Sequence, residues 1–105
     1  MVQAENEDKT MLSEKDIISF FSEEQKVYAK TPEAVYMVSK KLYELENELD
    51  ANRFVRISKS EIITLKQIKR LDMSISGTIR VIMKDDSESY TSRRNVVKLK
   101  KALGL

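Results

Sequence analysis

The apolar residues of this chain fall in brief segments, such as 17–22, 34–38 and 78–83, and polar residues close each of them. Some segments alternate apolar and polar side chains, which is the pattern of a strand with one buried face. Short strands separated by turns favour antiparallel sheets over units in which a helix joins parallel strands. The sequence therefore predicts one domain over residues 1–105. It is mainly β, with several short antiparallel strands in small packed sheets and two short helices.

We expect about eight or nine strands. They cover two segments within 1–12, then 17–22, 27–31, 34–38, 54–58, 67–73, 78–83 and 88–91. Residues 13–16 have the pattern of a capping box and predict one helical turn, and residues 23–26 predict a polar loop. Residues 61–66 combine helical spacing of apolar residues with frequent β-branched side chains, and we interpret them as a short turn. Because the chain has only two glycines and one proline, Asn, Asp and Ser must form most turns.

Two segments predict amphipathic helices. Ser39 is the predicted N-cap of the first helix and Ser92 that of the second, while Gly104 suits the position after the last turn. We also expect Lys40 and Glu44 to pair on the solvent side of the first helix. Each helix has an apolar stripe at helical spacing: Leu42, Leu45 and Leu49 in the first, and Val96, Leu99 and Leu103 in the second.

Charge is distributed unevenly along the chain. Residues 1–50 contain six basic and twelve acidic residues, a net charge of −6, whereas residues 51–105 contain thirteen basic and five acidic residues, a net charge of +8. This asymmetry indicates a molecule with a basic end, which suits a polyanion such as nucleic acid. The alternative is a salt-bridged domain whose two halves neutralise each other.

The residue types exclude most catalytic chemistry. The chain has no cysteine and no histidine, so thiol nucleophiles, imidazole bases and almost all zinc or haem sites are absent. The carboxylates of residues 44–50 lie on a regular amphipathic helix, and the KDDSES segment at 84–89 does not match a calcium loop. We therefore predict no enzymatic activity, no cofactor and no metal. No apolar run approaches the roughly 18 residues that span a bilayer, so we expect no membrane contact and a cytoplasmic location.

The start of the last helix is the first candidate site. Arg93 and Arg94 fall in its first turn, where the helix already carries partial positive charge. Two arginines there are either tolerated or paired with an external anion, and arginine can bind phosphate or guanine in a bidentate manner. The competing interpretation is that one of them pairs with Asp86 or Glu88.

The segment FVRISKS at 54–60 is the second candidate. Alternation places Val55 and Ile57 on one face of the strand, and Phe54, Arg56 and Ser58 on the other. Lys59 then leaves the strand, where lysine and hydroxyl donors suit phosphate contact or base reading. The ordinary alternative is a solvated strand end, and Arg56 is open between phosphate contact and an internal ion pair.

The loop at 23–26 is the third and weakest candidate. Gln25 and Lys26 can donate hydrogen bonds to a base or a phosphate. Glu23 and Glu24 beside them oppose DNA unless their side chains point away.

Several segments in a fixed order resemble the LytTR-type DNA-binding domain of bacterial transcriptional regulators. They are L-x-x-L-E-x-x-L at 42–49, F-x-R-I-x-K-S at 54–60, I-x-x-L-x-x-I at 62–68, V-x-x-x-D at 81–85, and S-R-R at 92–94 before a basic helix. The resemblance covers nearly the whole chain. It implies an all-β fold of short antiparallel strands with small helices, and loops rather than a recognition helix that enter successive major grooves.

The resemblance also implies which residues contact DNA. The tip of the first long hairpin matches near Gln25 and Lys26, the residue after F-x-R-x-x matches Lys59, and the arginine of the last loop matches Arg94, with Arg93 as its neighbour. The full set of predicted DNA-binding residues is Gln25, Lys26, Arg56, Ser58, Lys59, Arg93 and Arg94.

The chain departs from the family pattern at a few positions. Thr64 stands where members often have Asn, Asp85–Asp86 stands where they have an Asp-Gly turn, and the histidine that many place near Ser58 is absent. The missing histidine leaves the base preference open. The departures at Thr64 and at Asp85–Asp86 do not remove a proposed DNA contact.

The predicted function is sequence-specific binding of double-stranded DNA by a bacterial transcriptional regulator. The family's members bind direct repeats upstream of genes with two copies per site, so we expect a homodimer on DNA. The chain is expected to be the output domain of a response regulator in a two-component system, or a short stand-alone regulator. The main alternative is a protein-interaction module whose basic half docks an acidic partner, and RNA binding is the third.

Overall fold

A computed structural model describes all residues 1–105 and contains ten strands and two α-helices. The strands are β1 Val2–Gln3, β2 Met11–Leu12, β3 Ser19–Glu23, β4 Lys26–Lys30, β5 Val35–Val38, β6 Phe54–Ser58, β7 Glu61–Thr64, β8 Ile68–Asp72, β9 Arg80–Met83 and β10 Glu88–Tyr90. The helices are α1 Leu42–Glu48 and α2 Val96–Ala102, and single 3-10 turns cover Glu14–Asp16, Leu65–Gln67 and Arg93–Asn95. No helix has the length and apolar character that crossing a membrane requires.

A five-stranded sheet in the order β5-β4-β3-β7-β6 forms the centre of the fold, and every pair in it is antiparallel. The β3–β4 hairpin closes with the pair Glu23–Lys26, which leaves Glu24 and Gln25 as a two-residue turn. Both turn residues have positive φ, 50° and 68°. Such turns match the twist of the strands but usually contain glycine or asparagine, so this one is moderately strained.

The central sheet has an apolar cluster on each face because its strands alternate. One cluster of 13 buried residues includes Phe20, Phe54 and Ile62, together with the leucines of α1 and residues of the β1–β2 pair. The second cluster, of eight buried residues, includes Val55, Ile57 and Ile63 with residues of β9 and α2. We call these sides the α1 face and the α2 face of the sheet. Neighbouring residues of β6 and β7 thus enter different cores.

The α2 face is covered by a three-stranded sheet in the order β10-β9-β8 and by α2 itself. Leu99 is the fully buried anchor of this helix. The helix ends as predicted, because Gly104 has φ +75° and the amides of Gly104 and Leu105 donate to the carbonyls of Lys101 and Lys100. This arrangement satisfies carbonyls that the last turn leaves unpaired.

The predicted fold class is confirmed: short antiparallel strands form three sheets and the helices are two and short. The interpretation of 61–66 as a turn is wrong for its first part. Residues 61–64 form β7, an interior strand of the sheet between β3 and β6. The frequent β-branched side chains of this segment indicated a strand correctly, whereas the helical spacing of its apolar residues did not.

Details of the first helix also differ from the prediction. It begins at Leu42 with Lys41 rather than Ser39 as its N-cap, and the Lys41 amide donates to the carboxylate of Glu44 at 3.0 Å. Lys40 therefore pairs with Glu48 and not with Glu44. The predicted apolar stripe is confirmed, since all three leucines are buried.

Candidate nucleic-acid interface

Three loops that are distant in sequence meet at one end of the central sheet. The Ser22 amide, next to the β3–β4 turn, donates to the Ser60 carbonyl at 2.9 Å. The Ser92 amide, at the start of the 3-10 turn before α2, donates to the Ile57 carbonyl at 2.8 Å. The loop at 58–60 thus lies between the other two. The three candidate segments of the sequence are neighbours in space.

A polar groove lies between the 58–60 loop and the segment at 92–98. Eight residues line it and none is hydrophobic: Glu46, Arg56, Ser58, Lys59, Ser92, Arg94, Asn95 and Lys98. Four of the lining side chains are cationic and one is a carboxylate. An open groove with this lining suits an anion and offers no apolar surface to a hydrophobic ligand.

Arg56 holds the 58–60 loop in place. Its guanidinium donates to the carbonyls of Ser58 and Lys59, at 3.1 Å and 2.6 Å, and to the carboxylate of Glu46 at 3.3 Å. These two carbonyls precede and follow the Cα atom of Lys59, so the contacts fix the backbone on both sides of this residue. The internal ion pair considered for Arg56 is therefore present.

Glu46 comes from α1 and reaches the groove around β6, the edge strand of the sheet. One carboxylate oxygen accepts from Arg56 and the other from the Lys98 ammonium at 2.5 Å. The hydrogen bond from Lys98 is the main reason that the pKa of Glu46 is lowered, and the Arg56 contact acts in the same direction. The carboxylate therefore stays ionised at neutral pH.

Lys59 and Arg94 have a different environment from the other two cations. Both side chains are exposed, both line the groove, and neither forms an ion pair within the chain. The carboxylates considered as partners for the arginines are already paired, Asp86 with Lys69 and Glu88 with Arg80, each at 3.0 Å. The internal pairing considered for Arg94 is therefore wrong, and its charge is available to a ligand.

Arg93 lies away from the groove, although it adjoins Arg94 in sequence. Its side chain packs beside Gly77 so closely that a Cβ there would lie 3.1 Å from its Nε. It lines a separate depression with residues of the 73–79 segment and of α2. Consecutive residues of a tight helical turn point in different directions, which separates the two arginines.

Gln25 and Lys26 are exposed at the tip of the β3–β4 hairpin, outside the groove lining. The predicted loop at 23–26 is shorter than expected, because Glu23 and Lys26 form the last pair of the ladder and only two residues turn. The hairpin tip is linked to the 58–60 loop by the Ser22–Ser60 hydrogen bond. Glu23 and Glu24 are also exposed at this tip, so it presents both acidic and basic side chains beside the groove.

Sequence reasoning missed Asn95 and Lys98 in the groove, and it considered Glu46 only as part of a solvated face. Lys98 follows Arg94 by four residues, a spacing that places both on one side of a helix and provided a usable signal. Asn95 donates to the Ser92 hydroxyl at 2.8 Å, so Ser92 does not cap the backbone as predicted. Nothing in the local sequence indicated Glu46. The structure contains no cluster of acidic side chains that could hold a metal ion.

Comparisons with known proteins agree on the family. The family model described as the LytTr DNA-binding domain matches residues 8–104. Two proteins of Staphylococcus aureus, from strains NCTC 8325 and COL, are each 37% identical to this chain over 90 residues. Each is described as an uncharacterized HTH-type transcriptional regulator. That alignment covers 86% of this chain and 60% of each relative, so the chain spans about three fifths of their length.

A solved LytTr DNA-binding domain from Bacillus cereus has the same fold. It superposes with a TM-score of 0.91 at 20% identity, over 99% of this chain and 96% of that one. A helix-turn-helix needs two helices joined by a short turn. The five strands β6 to β10 separate α1 from α2, so this chain contains no such motif.

Proposed function

Because this chain belongs to the LytTr DNA-binding domain family, we propose that it binds double-stranded DNA in a sequence-specific manner. It acts without enzymatic chemistry, as the DNA-binding part of a bacterial transcriptional regulator. One observation carries this proposal: Lys59 and Arg94, separated widely in sequence, stand exposed and unpaired on the two sides of one polar groove.

The two cations suit different parts of DNA recognition. Arginine can bind the O6 and N7 atoms of guanine with two hydrogen bonds, and lysine can reach either a base edge or a phosphate. Lys59 projects from a loop and Arg94 from a 3-10 turn, and such short projecting segments can enter a major groove about 12 Å wide. Gln25 and Lys26 at the hairpin tip add donors to the same surface. Arg56 acts indirectly, because its guanidinium is engaged by the two carbonyls of the loop that carries Lys59.

The arrangement on DNA follows the family pattern in our proposal. Two copies bind direct repeats, each copy placing its loops in successive major grooves, and together they form a homodimer on the DNA. The regulators of Staphylococcus aureus support a role in transcription, and a location in the cytoplasm follows from it. Most of the affinity comes from neutralised phosphates and falls with salt.

The test is substitution of the two free cations. We expect Arg94→Ala and Lys59→Ala each to weaken binding to a selected DNA site by about 1–3 kcal/mol. The matched controls are Arg70→Ala and Lys84→Ala, which remove exposed, unpaired cations that do not line the groove. They should change binding far less. The target site is obtained by selecting bound sequences from a random duplex pool and fluorescence anisotropy measures affinity.

Three outcomes test separate parts of the proposal: the arrangement on DNA, the assigned residues and the choice of DNA over RNA. A recovered direct repeat supports two copies in the family mode. A folded Arg94→Ala, Lys59→Ala double variant that binds the selected site as tightly as the parent contradicts the assignment of these residues. Tighter binding to a matched RNA than to the duplex contradicts the choice of DNA.

A second candidate function is docking of an acidic protein partner. Three exposed apolar residues favour it: Met73, Ile75 and Val97, which line a depression together with Arg93 and Lys100. An apolar patch flanked by two cations fits a partner with acidic and apolar side chains. A titration with random duplex at low salt separates the candidates, since an absence of DNA binding at high micromolar protein favours the partner.

A further inference from the structure

Glu46 is the only carboxylate that lines the polar groove. Its two oxygens accept from two different cations, Arg56 at 3.3 Å and Lys98 at 2.5 Å. Phosphate would bind such a pair of donors in the same way, with one oxygen to each. In the free protein, Glu46 thus engages the two donors that an external anion would need.

The fold fixes Glu46 in this place. Leu42, Leu45 and Leu49 are buried against the sheet, which sets the rotation of α1 and turns Glu46 towards the β6 edge. Alternation along β6 points Arg56 to the same side, because its neighbours Val55 and Ile57 enter the opposite core. The contact between Glu46 and Lys98 then joins the two helices across the edge strand.

We propose that Glu46 is a specificity-determining residue, which lowers the affinity of the groove for DNA of arbitrary sequence by neutralising Lys98 and Arg56 internally. The inference rests on the proposed DNA-binding function. A random duplex offers mainly phosphates, and a cation already paired with Glu46 gains little from one. Lys59 and Arg94 remain free and read the target site.

Non-specific binding is the part of the affinity that Glu46 controls. Each phosphate that a protein cation neutralises releases counterions, and the logarithm of affinity then falls with the logarithm of salt concentration by about 0.9 per phosphate. Glutamine in place of Glu46 keeps the side-chain length and a hydrogen-bond acceptor but has no charge. The variant Glu46→Gln therefore frees Lys98 for a phosphate.

The experiment compares Glu46→Gln with Glu48→Gln in binding to a random duplex and to the selected site over a salt series. Glu48 lies on the same helix, pairs with Lys40 and does not line the groove. Both variants change the net charge equally, so a difference between them reports the local effect. We expect Glu46→Gln to bind random duplex about 3- to 10-fold more tightly than Glu48→Gln at low salt, with a salt slope steeper by about 0.9.

The ratio of specific to random affinity should fall in Glu46→Gln and remain near the parent value in Glu48→Gln. Adding Lys98→Ala to Glu46→Gln should remove the gain. Equal behaviour of the two glutamine variants overturns the inference. Loss of affinity for both duplexes together with a lower Tm also overturns it, because a purely structural role predicts that result. If the parent protein binds neither duplex, the proposed function fails as well.

Discussion

The two faces of the central sheet are covered in different ways. On the α1 face, 13 buried residues form one apolar cluster, and three leucines hold the helix against the strands. On the α2 face the cluster has eight buried residues, and Leu99 alone of α2 is fully buried. Polar contacts add to this face, with Lys30 bound to Asp85 at 2.8 Å and Ser89 to Glu61 at 2.9 Å.

The difference matches the division between stability and DNA recognition in the proposed function. The larger core includes the leucines of α1, the helix from the acidic half of the chain. On the outward side of this helix, Glu48 forms an ion pair with Lys40. The smaller core supports α2 and the segment before it, which present Arg94 and Lys98 to the groove. Burying fewer residues per helix leaves more of α2 available to a ligand. Four variants, at Leu45, Leu99, Asp85 and Glu61, test this comparison of the faces.

The largest effects should come from removing the buried leucines. Leu45→Ala and Leu99→Ala each leave a cavity in a core, and we expect the free energy of unfolding to fall by about 2–5 kcal/mol. Leu45→Ala should cost more, because two further buried leucines hold α1 and limit its movement into the gap. Urea unfolding measures the stability of both variants. Val97→Ala is the control at an exposed position, and its free energy of unfolding should lie within about 0.5 kcal/mol of the parent value. A greater loss for Leu99→Ala would reverse the assigned roles of the two faces.

A smaller effect on the free energy of unfolding is expected from removing the salt bridge between Lys30 and Asp85. Burial raises the pKa of Asp85, but hydrogen bonds from Lys30 and Ser87 outweigh it and lower the pKa to about 2. A carboxyl whose pKa is lower in the folded state stabilises it above the unfolded pKa, about 3.9, and that contribution is lost as the pH falls towards about 2. We expect Asp85→Asn to destabilise the protein by about 1 kcal/mol at pH 7, since solvent partly screens the pair.

The pH dependence of this variant is the sharper measurement. Urea unfolding from pH 7 to pH 3 should show a constant difference in stability between the parent and Asp85→Asn down to about pH 5, and a narrowing difference below it. Asp86→Asn, which removes an exposed carboxylate from the same turn, is the control. A gap that does not depend on pH would show that the lost stability comes from altered packing.

The smallest effect, with the opposite sign, is expected at Glu61. Burial raises the pKa of this carboxyl, and the hydrogen bond from Ser89 only partly opposes the shift. Holding the ionised group in the fold therefore costs stability at pH 7, a cost that disappears as the pH falls through the raised pKa and below the unfolded value of about 4.3. Glu61→Gln keeps an acceptor for Ser89 and should unfold at a slightly higher urea concentration at pH 7. The two proteins should converge at low pH. A destabilised variant at pH 7 would contradict this account.

Local pattern predicted much of the fold. Alternation identified β6 and β9, the leucine spacing identified the buried face of α1, and Gly104 marked the end of α2. The position of β7 could not be predicted in this way. Its register is set by Phe20 and Phe21 of β3, about forty residues earlier in the chain, and by the Thr64 hydroxyl that donates to the Ile17 carbonyl at 2.6 Å.

The candidate site divides in the same manner. Lys59 and Arg94 were predicted, because lysine and arginine beside polar turns are visible in the sequence itself. Asn95 and Lys98 were missed. The four-residue spacing from Arg94 to Lys98 was a usable signal for Lys98, but composition does not show which side chains share a groove. Arg93 and Arg94 looked equivalent in sequence, and only the geometry of the turn separates them.

The sequence by itself determined the short antiparallel strands, the two amphipathic helices, the absence of thiol and imidazole chemistry and the division into acidic and basic halves. These properties depend on residue type and on spacing along the chain. The tertiary structure decided that the three loops meet, that Arg56 holds the loop of Lys59, and that Glu46 contacts Lys98, which is 52 residues away. Such contacts depend on how two cores orient the β6 edge and its flanking helices, and local periodicity contains no information about partners so distant.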